Sequence, residues 1–438
     1  MSRQALLITP HFPPDSSAAS HRVRLLAPHL DAFGWVPTVL TLEPDAYEGA
    51  LDPDLLRLVP DRISVVRAPA WRAAVTRRAG FGDLGLRALT GLRRHARRLL
   101  GTGRFEALFI TTYPIYPALL GPGLRAAYRV PFVLDVQDPW VGAWGRDVGG
   151  GPGGRPDIRS RLARRVAVLM EQYVVRSADA ITAVSARTAS DMLGRVPSAA
   201  PVTHAALPLG FEPADLDYVR RHPRPPRHFE SSPDAVHLVY VGTVLPTGLV
   251  VVRALLAGLA RLRRDHPAAG RRIRLHFIGS SNQRLPGQPH RVLPLAAEFG
   301  LSDAVHEHPE RVDYLDALDA QIRADGLLLL GSTEPHYTPS KAYPAYLSGR
   351  PILALYHRES SVVGFLRGCA AAEVLTYEDR VDPDALAGEV ARALDRLVLR
   401  ARDGAAPPAP DAAAPWSARA VAAQLARVFD AVAAGGRP

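Results

Sequence analysis

The sequence predicts an α/β protein built from two Rossmann-like, doubly wound parallel-sheet domains facing a central cleft. Short apolar, β-branched runs alternate with longer stretches of helical period, the pattern of βαβ units. The alternation stops at one polar, Pro-rich stretch, His222-Pro-Arg-Pro-Pro-Arg-His-Phe-Glu-Ser-Ser-Pro233, and then restarts. A length of 438 residues holds two or three domains of ordinary size.

The first set of strands is expected at Ala5 to Thr9, Thr38 to Leu42, Ile63 to Ala68, Ala107 to Thr112, Phe132 to Val136, Ala180 to Val184 and His204 to Pro208. The second runs through Val236 to Val241, Arg274 to Ile278, Ala304 to His308, Gly326 to Leu330, Pro351 to Tyr356 and Ala372 to Leu375. The expected division is therefore 1–221, a linker at 222–233, and 234–404. An Ala/Pro loop and a helical tail then fill 405–438, the tail crossing back to the first domain. No repeat of solenoid period appears.

Composition narrows the class. Apolar content is 47%, so the chain as a whole is not disordered. A single thiol, Cys369, excludes an internal disulfide and a multi-Cys metal site. The run Ala5 to Ile8 is too short for a signal segment and no stretch reaches membrane-spanning length, so a cytoplasmic protein is expected. Of 53 basic residues, Lys341 is the only lysine and the other 52 are arginine. Codon bias accounts for most of that ratio, but arginine cannot always replace a compact ammonium.

Ligands of doubly wound sheets bind beyond the carboxyl ends of the strands, so the loops that follow strands carry the function. Pro10-His-Phe-Pro-Pro-Asp-Ser-Ser-Ala-Ala-Ser-His-Arg22 offers small residues for close approach to a ligand, or is an ordinary capped βα loop. Leu134-Asp-Val-Gln-Asp-Pro-Trp140 places Asp138 to hold a sugar hydroxyl or take its proton, with Trp140 as a stacking face; a helix N-cap Asp is the equal alternative. Gly210, in Leu209-Gly-Phe-Glu212, permits a tight turn. Tyr240-Val-Gly-Thr243 and Leu275-His-Phe-Ile-Gly-Ser-Ser281 repeat one device, a Gly just past a strand. Gly242, Thr243, Gly279 and Ser280 are accordingly nucleotide candidates. The segment Gly331 to Pro351 runs from a strand into a helix expected to start near Pro339, with Ser340 and Lys341 on its first turn as an anion site.

These residues together resemble the family 4 glycosyltransferases. Phe12-Pro-Pro-Asp15, His21-Arg22 and Gly34-Trp-Val-Pro-Thr-Val-Leu-Thr41 are similar to that family's opening, and Ser177-Ala-Asp-Ala-Ile-Thr-Ala-Val-Ser185 to a later segment. Asp325 to Leu330, Thr338-Pro-Ser-Lys341 and Gly349-Arg-Pro-Ile-Leu353 are similar to its donor-binding segment. The resemblance implies the GT-B fold, a nucleotide diphosphate sugar as donor, a glycan or lipid-linked acceptor of the cell-envelope polysaccharide kind, and retention without a bound metal or other cofactor. Together with the reading of the residues themselves, this sets Thr338, Ser340 and Lys341 at the diphosphate, with Arg22 or Arg24 from the facing loop assisting on charge grounds, and Asp138 and His336 at the sugars. Two departures stand out: the family's two Glu positions are His336 and Pro344 here, and Thr243 stands where Arg is common. A degenerate, non-catalytic GT-B protein binding a sugar nucleotide or a partner enzyme is the alternative.

Charge adds a further expectation. Arg77, Arg78, Arg87, Arg93, Arg94, Arg97 and Arg98 surround an apolar stripe, Leu86, Leu89, Leu92, Ala96 and Leu99. Such a helix lies on an anionic membrane at the inner face or packs its stripe on the first sheet. No nucleic-acid motif accompanies the charge, and nucleic acid is not an expected partner. The tract Gly149 to Gly154 suggests an acceptor loop.

Overall fold

The computed structural model of the chain describes residues 2–49, 51–80, 82–138, 140–141, 158–196, 203–281, 283, 286–334, 341–378, 380–402 and 413–435. It divides into two compact units: Met1–Gly210 with Ala418–Pro438, and Phe211–Ser417.

The first unit is a seven-stranded parallel sheet of β1 (Arg3–Ile8), β2 (Trp35–Leu42), β3 (Ser64–Ala68), β4 (Phe105–Thr112), β5 (Phe132–Val136), β6 (Ala180–Ala183) and β7 (Thr203–Ala206), in the order β3-β2-β1-β4-β5-β6-β7. The winding reverses between β1 and β4. β2 begins earlier than the apolar run suggests and contains Pro37. The strand tolerates it because β3 pairs with β2 only from Thr38 onward, so the missing N–H meets no ladder there. Alternate residues serve the two faces. Leu6, Ile8, Leu108, Ile110 and Leu134 pack with Ala88, Leu92, Ala96 and Leu100 of the helix Leu84–Leu100. Ala5, Leu7, Phe109 and Val133 pack with Val23 and Leu26 and with Leu425 and Phe429. The last two belong to the helix Ala418–Ala434, whose Asp430 accepts from Trp35 Nε1 at 3.0 Å.

That packing decides between the two readings of the basic helix. Most of its apolar stripe is spent on the first unit, with Leu92, Ala96 and Leu99 in the core and Leu89 packed against it, while Arg93, Arg94, Arg97 and Arg98 stay exposed, which favours the reading in which the stripe packs on the sheet.

The second unit holds a six-stranded parallel sheet of β8 (Val236–Val241), β9 (Ile273–Ile278), β10 (Val305–His308), β11 (Gly326–Leu330), β12 (Ile352–His357) and β13 (Ala372–Tyr377), in the order β10-β9-β8-β11-β12-β13. Here the winding reverses between β8 and β11. Leu238, Leu275, Phe277 and Leu328 pack on the long helices Leu249–Asp265 and Pro383–Arg402, and Val239, Leu327, Leu329 and Ile352 pack with Tyr343, Tyr346 and Phe365 on the other face.

The stretch 222–233 is no free linker. Arg224 Nη1 and Arg227 Nη1 donate to the two oxygens of Asp316 at 2.8 and 2.7 Å, and Phe229 stacks on His237 and His276. The division falls at Gly210 and Phe211 instead, because these contacts tie the stretch to the second sheet. The tract Gly149 to Gly154 lies outside the described residues.

Candidate functional site

In the second unit, the carboxyl ends of β8 and β11 flank the point where the winding reverses, the place where doubly wound sheets take ligands. Gly242 ends β8 with φ +128°, and Gly279 ends β9 with φ +74°, conformations open to glycine at little cost. Gly242 N–H donates to Ile278 O and Gly279 N–H to His308 O, both at 2.8 Å, so each turn is an extension of the ladder that bends the chain away at the sheet edge.

Lys341 stands beside Gly242. Its Nζ donates to Tyr240 Oη at 2.5 Å and lies 3.9 Å from the centre of that ring, and the Tyr240 hydroxyl donates in turn to Thr243 O at 2.8 Å. A Cβ on Gly242 would stand 3.0 Å from Nζ, so the glycine makes the room the ammonium occupies. Burial pulls the Lys341 pKa down from its ordinary value to about 7. The result is a partly buried ammonium beside a glycine turn: a compact donor for an anion that favours its charged form.

The other sequence candidates separate. Thr243 supplies a carbonyl to the Tyr240 hydroxyl and is partly buried. The sequence assigns Ser280 to a nucleotide, but its side chain is fully buried and donates to Glu307, which also accepts from the backbone N–H groups of Arg291, Val292 and Leu293 at 2.9, 2.9 and 3.0 Å. Ser280 therefore helps cap the helix Leu293–Glu298. The helix expected near Pro339 begins later and is short, Ala342–Leu347, with Lys341 at its N-cap. His336, Thr338 and Ser340 lie outside the described residues.

In the first unit, Asp138 is exposed just past β5, and partial desolvation raises its carboxyl pKa. Trp140 is not a stacking face: it is buried in the core, where a large aromatic gains most. Arg22 is not available to a phosphate either. Fully buried, it donates through Nε and Nη2 to the two oxygens of buried Asp135, at 3.0 and 2.5 Å, and through Nη1 to Leu207 O and Pro208 O at 2.8 and 2.9 Å. Thr111 and Thr182 complete the carboxylate's shell at 2.8 and 2.6 Å. Arg24 is also buried, its Nε donating to His21 Nδ1 at 3.1 Å.

The loop after β1 holds a group that sequence reasoning missed. Asp15 lies 2.7 Å from His11 Nδ1 and accepts from Ser17 Oγ and from Ser20 Oγ, the latter at 2.6 Å. Burial raises the Asp15 pKa, but the bonds from His11, Ser17 and Ser20 outweigh it and bring the carboxyl down to about 2. An ionised carboxylate only accepts, so Nδ1 carries the proton and the His11 tautomer is fixed. The ring lies between Tyr47 and Tyr113, with centroids 6.0 and 5.6 Å away. The small residues of this loop serve the carboxylate.

Two doubly wound parallel units of this kind define the GT-B class of glycosyltransferase fold. The Anabaena protein Alr3699/HepE, solved in complex with UDP-glucose, shares the fold at 14% identity with a TM-score of 0.56, over 98% of this chain and 99% of that one. An α,α-trehalose-phosphate synthase (UDP-forming) from Burkholderia vietnamiensis matches at 12% identity with a TM-score of 0.58, over 99% and 100%. Residues 17–207, in the first unit, match the glycosyl transferase 4-like domain. A D-inositol 3-phosphate glycosyltransferase of Geodermatophilus obscurus is 29% identical over 206 residues, 46% of this chain and 42% of the relative. The chain thus spans less than half the length of that relative.

Proposed function

We propose that the chain is a glycosyltransferase that moves a sugar from a nucleotide diphosphate sugar to a hydroxyl of a glycan or lipid-linked acceptor. The observation that carries this reading is Lys341 held on Tyr240 beside Gly242, at the reversal point of the second sheet. A diphosphate brings about two negative charges into a site of low dielectric, and a neighbouring ammonium is the group that stabilises them. The structural neighbour solved with UDP-glucose makes uridine diphosphate sugars the first donors to try. Retention of configuration, independence of a bound metal and any other cofactor, peripheral contact with an anionic inner membrane from the cytoplasm, and a cell-envelope acceptor complete the proposal on the strength of the resemblance. Asp138, His336, Thr338 and Ser340 keep their proposed roles at the sugars and the diphosphate.

One feature favours the non-catalytic alternative. Pro344, inside the helix Ala342–Leu347, carries no carboxylate for a ribose. Nucleotide release from a panel of nucleotide sugars, with and without envelope glycolipid, separates the two. Turnover of at least one donor supports the enzyme, and binding with no turnover on any donor sinks it. Lys341→Ala is expected to abolish measurable nucleotide diphosphate binding by calorimetry while leaving the melting temperature close to that of the parent protein.

A further inference from the structure

The helix Ile158–Ser177 has two unlike faces. Inward it buries Ala167, Val174 and Val175 in the first unit's core, and its one acidic residue, Glu171, is buried against Arg195, with Nε to Oε1 at 2.7 Å. Outward it exposes Leu162 (62%), Val166 (41%), Leu169 (66%) and Tyr173 (54%). Steps of four, three and four residues put these side chains on a single stripe, about 16 Å long at the helical rise. Among the described residues, eleven large hydrophobics are exposed and four of them are on this one helix, which is a patch and not scatter. Arg161 and Arg165 flank the stripe and Arg176 lies at its far end, all exposed, and among the described residues of the helix no carboxylate shares that face.

We propose that this face docks the first unit on an anionic lipid surface, the stripe entering the headgroup boundary and the arginines meeting lipid phosphates. The charge pattern selects that occupant. A second copy of the same face would set Arg161 and Arg165 against their own counterparts, and a neutral apolar partner would leave the arginines unanswered. The depth is interfacial, since no helix among the described residues is long and apolar enough to cross a membrane. The inference assigns a surface to the membrane contact proposed above and rests on that reading for its purpose. The readout needs no turnover, so loss of one does not imply loss of the other.

The test is co-sedimentation of the full chain with phosphatidylcholine vesicles containing phosphatidylglycerol, against phosphatidylcholine alone. Binding is expected only with the anionic lipid and is released by salt. Leu162→Glu with Leu169→Glu removes it; Arg161→Ser with Arg165→Ser weakens it roughly tenfold or more; and Leu399→Glu, at an exposed apolar residue of the second unit, leaves it unchanged. Equal binding to both vesicles, no binding to either, or binding that survives the double Glu variant overturns the proposal. So does a dimer by light scattering that the double Glu variant splits.

Discussion

The two units bury ionisable groups in opposite ways. The first hides a full charge pair: Arg22 and Asp135 have no exposed surface, and the hydrogen bonds of Thr111, Thr182, Leu207 and Pro208 complete their shells. The second hides rings that are easy to keep neutral. His237 and His276 lie on adjacent strands with Nδ1 and Nε2 2.9 Å apart, His276 stacks on His306 at 5.0 Å, and His228 meets His308 at 4.9 Å. Four of their ring nitrogens are buried with no hydrogen bond: both of His228, Nε2 of His237 and Nδ1 of His276. Burial, joined by the neighbouring rings His306 and His237, drives His276 down to about 3, and burial lowers His228, His237 and His306 as well. Arg274 opposes a charge on His237 and His306, whereas Asp325, Asp303 and Asp316 favour one on His237, His306 and His228 respectively. A saturated pair is intolerant of truncation, since removing one member leaves the other buried and uncompensated; a stack of neutral rings yields to protons.

The largest effect belongs to the pair. Arg22→Ala leaves Asp135 buried and uncompensated, and urea unfolding is expected to show a loss of about 3–5 kcal/mol. Replacing both members by apolar residues, Arg22→Met with Asp135→Leu, should recover much of that loss, and a double variant no better than Arg22→Ala would break the account.

Acid tests the other side. His276 titrates near its ordinary 6.5 when unfolded and at about 3 when folded, so between those values the unfolded chain binds the extra proton. Stability therefore rises with pH through that window and falls as pH drops below 6.5, by about 1.4 kcal/mol per pH unit for this one ring. Hydrogen exchange of β9 amides at pH 7 and pH 5 is expected to show the loss, and His276→Phe to flatten it. Equal protection at the two pH values would remove the distinction between the units.

The smallest effect sharpens the comparison at the site itself, since burial disfavours the charge of Lys341 as it does that of the buried histidines. With its free-state pKa at about 7, diphosphate binding must carry a proton with it above that pH. Affinity is expected to fall roughly tenfold per pH unit above 7, while below 7 it levels off. Calorimetry in buffers of different ionisation enthalpy measures the proton directly, and an uptake of zero at pH 8 would contradict the assignment.

The central strands were legible because strands buried on both faces read as near-continuous apolar runs, and each of the thirteen strands overlaps an expected one, the more exposed edge strands β3, β7 and β10 included. Of the candidate site, the placement of Gly242 and Gly279 just past strands and of Lys341 at a helix start was legible because position beside an element is a local property. Their settings were not. Tyr240 stands 101 residues from Lys341 and Asp135 stands 113 from Arg22, and no periodicity records such a pairing. Ser280 and Trp140 misled for a related reason: residue type announces what a side chain can do, but burial against Glu307 or the core decides what it does.

The backbone path has one more consequence. Phe211 N–H donates to Trp416 O at 3.2 Å and Phe211 pairs with Ser417, so the chain leaves the first unit and returns to it through adjacent residues. In covalent terms the nucleotide-binding candidate is a guest spliced into a host whose own last element, Ala418–Ala434, is made after the guest is complete. During synthesis the host sheet waits for that helix, which brings Phe429 against Trp35 and Phe109, until the guest has been made.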